Sequence, residues 1–204
     1  MTDDVETVAA LDPIEAFYAR EMQHPERAMT AHLPRLRALA QGLPLAVEFG
    51  VKRGASSSAL LLGAQRVISY DIVETAQARE LERLAGPRWA YRLQDSRTAD
   101  VPPCDLLLVD SLHTFAQVEA ELTAHADRVG RYLVFHDTIT FGSIGAKGET
   151  GQQLWAYVPG QVTPPAALGI RPAIDALLIR DRTWHLVAHY TDSHGLLVLE
   201  RTAA

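Results

Sequence analysis

Two short stretches of this chain put groups capable of chemistry where packing alone does not ask for them. In DLLLVDSLHTF, residues 105–115, four apolar residues lead straight into Asp110, and His113 follows three positions later. In RYLVFHD, residues 131–137, a second apolar run ends in His136 and Asp137. A carboxylate there can hold a cation or a hydroxyl, and an imidazole can take a proton near neutral pH. Upstream, VEFGVKRGASSS arranges Glu48, Gly50 and Gly54 as E-x-G-x-x-x-G. Glycines let a backbone pass close to a ligand, and the helix that follows offers free N–H groups. Asp71 ends another apolar run 23 residues after Glu48, where an acidic side chain can accept hydrogen bonds from both hydroxyls of a ribose. Gln94 and Asp95 close a third run as a polar pair able to meet an adenine edge.

These residues need elements to hold them. Helical spacing predicts helices over 13–24 and 30–41, the second carrying Leu33, Leu36, Leu39 and Ala40, stopped by Gly42 and Pro44. Short apolar runs then alternate with amphipathic helices. LAVEF (45–49), RVISYDI (66–72), AYRLQD (90–95), DLLLVD (105–110) and RYLVFHD read as strands. ASSSALLLGA is a helix, as is TAQARELERLAG, opened by Thr75 and closed by Gly86 and Pro87. TFAQVEAELTAHADRV is another, with capping-box spacing at Thr114 and Gln117 and one apolar face of Phe115, Val118, Leu122 and Val129. The pattern is β-α repeated five times, which implies a doubly wound, Rossmann-like α/β fold with a parallel sheet covered on both faces. Ligands of such folds bind at the carboxyl ends of the strands. A helix over 168–181 and two strands, WHLVAHYT and GLLVLER, finish the chain; the short DSHG link between them predicts a hairpin and at least one antiparallel strand in a seven-stranded sheet.

A chain of 204 residues suits one domain with one core. Its expected parts are an N-terminal helical segment (1–42), a ligand-binding core (43–137), a Gly- and Pro-rich loop (138–165) and a closing helix and hairpin (166–204). The net charge of −6 and scattered arginines disfavour nucleic acid as a partner. An acidic N-terminus and the lack of an apolar run of roughly 18 residues disfavour a secretory signal or a membrane span, so the expected location is cytoplasmic. The single cysteine, Cys104, rules out an internal disulfide and is expected to be inert. His24, His32 and His125 fall in predicted helices and are expected on exposed faces. An outlying helical pair such as 13–41 often serves as a lid or as a homodimer contact.

On VEFGVKRGAS, Asp71, VDSLHTF and FHDT, the run from about 45 to 137 resembles the class I S-adenosylmethionine-dependent methyltransferases. It is most similar to small bacterial O-methyltransferases grouped with cephalosporin-hydroxylase-like proteins and metal-dependent macrolide-sugar methyltransferases. The closing helix and hairpin look like that fold's last two strands. The resemblance implies that Glu48, Gly50 and Ser56, with Gly54 in the same loop, border the methionine part of S-adenosylmethionine. It implies Asp71 at the ribose, Asp95 by the adenine, and Asp110 and Asp137 on a divalent cation, usually magnesium. Where the related sites carry Glu or Asp beside the second aspartate, this chain has His136. Imidazole is a softer ligand, so the third metal position admits manganese, iron or zinc, or no metal at all.

The chemistry gives these residues an independent reason. Methyl transfer is an in-line displacement from a sulfonium, and an alcohol is a poor nucleophile while it keeps its proton, because its pKa lies near that of water. A divalent cation lowers that pKa and fixes the hydroxyl's direction, and an imidazole can take the proton. His113 is assigned as general base. The expected acceptor is a small-molecule hydroxyl on a sugar or another natural product, walled by the N-terminal helices and the 138–165 loop, where Trp155 and Tyr157 could stack on a sugar ring. Two rivals share the cofactor motifs: a metal-independent methyltransferase and a non-catalytic S-adenosylmethionine-binding protein. A nicotinamide dehydrogenase fits less well, because the glycine spacing differs from G-x-G-x-x-G.

Overall fold

The structure, a computed structural model, describes residues 12–147, 152–153 and 167–202. Among them, seven strands form one sheet in the order β3-β2-β1-β4-β5-β9-β8. The strands are β1 Leu45–Phe49, β2 Arg66–Asp71, β3 Trp89–Leu93, β4 Cys104–Val109, β5 Val129–His136, β8 Trp184–Tyr190 and β9 Leu196–Arg201. A separate two-stranded ladder joins β6 Ala146–Lys147 to β7 Gln152–Gln153. Strands β1 to β5 pair in parallel, and β9 runs antiparallel to both β5 and β8, as the short hairpin link predicts. The order reverses at β1, which has β2 on one side and β4 on the other. That switch point opens a crevice above the strand ends.

Strand residues alternate between two apolar layers. Ala46, Val67, Leu106, Leu108 and Val134 face α1 (Pro13–Met22), α2 (Leu33–Ala40), α3 (Ala55–Gly63) and α4 (Ala76–Ala85). Val47, Phe49, Ile68, Leu107, Val109 and Phe135 face α5 (Phe115–His125) and α6 (Arg171–Arg180). The N-terminal helices lie outside the β-α repeat yet inside this packing: Phe17, Leu33 and Leu36 are buried, so α1 and α2 are part of the core.

Local signals hold closely. Asp12 caps α1 by accepting from Ile14 N at 2.8 Å, ahead of Pro13, and Thr75 and Thr114 cap α4 and α5. Four expectations differ. No helix connects β3 to β4, so the β-α repeat is interrupted by an irregular segment over 94–103. Thr114 accepts from Gln117 N at 3.3 Å, but the Gln117 amide goes to Ser96 and Glu121 instead of returning to close a capping box. Val129 opens β5 and does not continue the α5 face. His32 and His125 are buried, at 0% and 3% exposure, and only His24 of the three is on the surface. Both buried imidazoles are held by distant carbonyls, Ser193 at 3.1 Å and Ser96 at 2.7 Å, which helical periodicity cannot reveal. Cys104 is buried, and burial pushes its thiol up to about 12, as expected of an inert side chain. No helix of the described residues is long and apolar enough to cross a membrane.

Candidate active site

The crevice is built on the turn from β1 into α3. Gly50, at φ +85°, donates to Tyr70 O at 2.9 Å, and Asp110 N donates to Phe49 O at 2.8 Å, so the ends of β1, β2 and β4 are laced together. A Cβ on Gly50 would overlap the Asp110 carbonyl oxygen and lie 2.7 Å from its carbon. Gly54, at φ +80°, opens α3, and its missing side chain makes room for Leu81 and Phe17. Its smallness therefore serves packing beneath the loop. Asp71 anchors the same turn: one carboxylate oxygen accepts from Val51 N at 2.7 Å and Lys52 N at 3.0 Å, the other from Val73 N at 2.9 Å. Carboxylate oxygens can accept further bonds, so this anchoring leaves capacity for hydroxyl donors.

Glu48 and Ser56 lie under this loop and not on an open wall. Glu48 is fully buried and accepts from Ser57 Oγ at 2.5 Å and Ser69 Oγ at 2.6 Å, while Trp89 Nε1 donates to Ser69 at 2.8 Å. Burial pushes its carboxyl up to about 7, against the opposing effect of the serine hydroxyls. A raised folded-state pKa means that the stabilisation is fully present below about 4.5 and is lost as pH rises through about 7. Glu48→Gln is therefore expected to remove a loss of up to about 3 kcal/mol between these limits. Urea unfolding of both proteins near pH 5 and near pH 8 checks this; parallel pH dependences would overturn it.

Asp95 lies in the loop after β3, paired with Arg97 at 2.6 Å. Beside it the ends of β2 and β3 leave Ile72 and Leu93 exposed, at 65% and 51%. Gln94 lines a groove of about 430 Å³ with Arg66, Arg92 and Asp100.

Across the crevice, Asp110, His113, His136 and Asp137 each bring one ligand atom within 4.8 Å of all the others. His136 Nδ1 lies 3.0 Å from Asp110 Oδ1 and 3.4 Å from Asp137 Oδ1. His113 Nε2 lies 3.1 Å from Asp110 Oδ1 and 3.4 Å from Asp137 Oδ2, its ring stacked on Phe141. His113, assigned as general base, is thus turned toward the carboxylate pair. Burial alone would lower the His136 pKa, but the Asp110 charge and hydrogen bond, joined by Asp137, bring it up to about 9. Burial would likewise raise Asp110, yet His136 and His113 hold it well below the usual carboxylate range. Asp137 adopts φ +59°, which costs a non-glycine residue about 1–2 kcal/mol, and its buried Oδ1 has no hydrogen-bond partner among the described residues. A strained carboxylate with a buried oxygen that makes no hydrogen bond, facing a second carboxylate and two imidazoles, fits a divalent cation.

Three supports were not visible in the sequence. His32 Nε2 meets the Ser193 carbonyl, and its ring lies edge-on to His136 at 5.5 Å. The β8–β9 turn brings His194 Nδ1 to 3.6 Å from Asp137 Oδ1, and its backbone carbonyl accepts from Ile139 N at 2.8 Å. Glu121 of α5, fully buried, accepts from Ser96 at 2.5 Å, Ser111 at 2.6 Å and Gln117 at 2.8 Å, tying the loop of Asp95 to the residue after Asp110. Trp155 and Tyr157 lie outside the described residues.

No protein-family model and no curated protein matches the chain. Solved structures do. The O-methyltransferase TomG from Streptomyces achromogenes, involved in tomaymycin synthesis and solved with S-adenosylmethionine, superposes with a TM-score of 0.64 at 15% identity, over 97% of this chain and 93% of that one. An O-methyltransferase from Bacillus cereus in complex with S-adenosylhomocysteine gives 0.62 at 16%, over 96% and 94%. The N-methyltransferase NodS from Bradyrhizobium japonicum, also with S-adenosylhomocysteine, gives 0.60 at 15%, over 94% and 100%. With the seven-stranded order, the antiparallel β9 and the glycine turn at the switch point, these likenesses establish that the chain has the fold of the class I S-adenosylmethionine-dependent methyltransferases.

Proposed function

We propose that the protein is an S-adenosylmethionine-dependent O-methyltransferase that methylates a hydroxyl of a sugar or related natural product with the help of a divalent cation. The observation that carries the reading is the contact of Gly50 with Asp110: the glycine turn of the cofactor crevice packs directly on the strand end that begins the cation cluster. A methyl donor at one and a hydroxyl at the other would be neighbours, which is what transfer requires.

In this reading Asp71 takes the ribose hydroxyls, Asp95 and the exposed Ile72 and Leu93 border the adenine, and the Gly50 turn approaches the methionine part. Asp110, His136 and Asp137 hold the cation. When bound, the cation supplies a lowered hydroxyl pKa and a fixed direction of attack. His113 offers the imidazole for the proton, through the same Nε2 that faces Asp110 and Asp137. Loss of turnover in His113→Ala with cation affinity intact would identify a base; loss of cation affinity would identify a ligand.

Calorimetric titration of chelator-treated protein with S-adenosylhomocysteine tests the core of the proposal. Tight binding supports it, and no binding sinks it. Asp71→Ala is expected to weaken that binding about 10- to 100-fold, since hydrogen bonds to a charged group contribute about 1.5–3 kcal/mol. Unchanged affinity would remove Asp71 from the ribose. The hydroxyl acceptor is sought by screening saccharides for S-adenosylhomocysteine release, with and without chelator; turnover indifferent to chelator would favour the metal-independent enzyme.

A further inference from the structure

We infer that the Asp110, His113, His136 and Asp137 cluster is built for a first-row transition ion in preference to magnesium, with His136 as the ligand that decides it. The inference rests on the cation reading above and concerns which ion that site takes.

The donors assigned above are the Asp110 and Asp137 carboxylates and the His136 imidazole, with the His113 imidazole beside them in the cluster. The carboxylates balance the charge of a divalent ion, so the His136 imidazole sets the selectivity. His136 cannot avoid an ion drawn to both aspartates, because its Nδ1 lies 3.0 Å from one carboxylate and 3.4 Å from the other. Nor has it room to swing away, being 3% exposed and backed by the His32 ring at 5.5 Å. The Oδ1 of Asp137 is buried without a hydrogen bond, approached only by His136 Nδ1 at 3.4 Å and His194 Nδ1 at 3.6 Å, which leaves it able to take an ion. Magnesium prefers an octahedron of oxygens at about 2.0–2.1 Å and keeps several waters. Replacing oxygen by a fixed, buried nitrogen penalises it. Imidazole suits iron, zinc and copper, and affinity for mixed nitrogen and oxygen sites rises from manganese through iron and cobalt.

Any site containing nitrogen follows that order, and surface histidines bind zinc adventitiously, so tight zinc binding alone proves nothing. The decisive experiment compares Mg2+, Mn2+ and Co2+ titrations of chelator-treated wild type and His136→Asp, with S-adenosylhomocysteine titrated alongside. Wild type is expected to bind Co2+ at least about 100-fold more tightly than Mg2+, and His136→Asp to shrink that ratio at least tenfold. A wild type that binds Mg2+ as tightly as Co2+, or no ion at all, overturns the inference, as does a ratio that His136→Asp leaves unchanged. Should that variant not fold, pulsed electron paramagnetic resonance of the Mn2+-loaded protein decides: nitrogen hyperfine coupling that persists in both His113→Ala and His194→Ala supports His136 as a ligand, and its absence overturns the inference. S-adenosylhomocysteine binding in every arm separates a failure of this inference from a failure of the methyltransferase reading.

Discussion

Gly50→Ala is expected to cost about 3 kcal/mol or more in stability and to abolish detectable S-adenosylhomocysteine binding. Two penalties add. A left-handed backbone at φ +85° costs an alanine about 1–2 kcal/mol, and the new Cβ would overlap the Asp110 carbonyl, where overpacking typically costs about 1–3 kcal/mol. Relief requires β1 and β4 to move apart at the switch point, because the obstacle is backbone and cannot rotate away. The same movement displaces Asp110, so cation affinity should fall with cofactor affinity. For a domain of this size each kcal/mol lowers the melting temperature by roughly 2–4 °C. Gly42→Ala is the control: Gly42 has φ +75°, yet its Cβ would meet nothing within 4 Å. It should lose only the backbone term and keep both affinities. Equal losses in the two variants would show that backbone strain, and not the contact with Asp110, governs the turn.

That contact explains how much of the site could be read from the sequence. In a parallel sheet, carboxyl ends gather on one edge, so Asp71, Asp95 and Asp110 were recognisable as neighbours once their apolar runs were recognised as strands. Thr75 and Thr114 announced their helices through local hydrogen bonds within three residues. What stayed hidden depends on distant partners. His32 looked like a helical surface residue because its anchor, Ser193, is 161 residues away. His194 sits in a turn whose strand order brings it to Asp137, and Glu121 reads as an ordinary helical acid until Ser96 and Ser111 surround it. The direction in which His113 points was equally illegible, since spacing fixes its place beyond Asp110 but not its rotamer.

Asp137 allows function and stability to be separated at one position. If its φ of +59° and a buried oxygen without a hydrogen bond are maintained for a cation, Asp137→Gly should relieve the strain, remove a buried carboxylate and yield a metal-free protein no less stable than wild type. Asp137→Ala keeps the unfavourable backbone and should be less stable than the glycine variant by about 1 kcal/mol. Both should lose cation affinity alike. Losing a group that merely supports a metal ligand costs about 10- to 100-fold, so loss of the ligand itself should exceed about 100-fold. S-adenosylhomocysteine affinity should stay within a few-fold of wild type, because the Asp71 and Gly50 anchors are untouched. Thermal unfolding in chelator, paired with Mn2+ and S-adenosylhomocysteine titrations, reads all three quantities. A glycine variant that is markedly destabilised would mean that Asp137 holds the fold through its imidazole neighbours, and the strain at the end of β5 would then need a structural cause instead of a catalytic one.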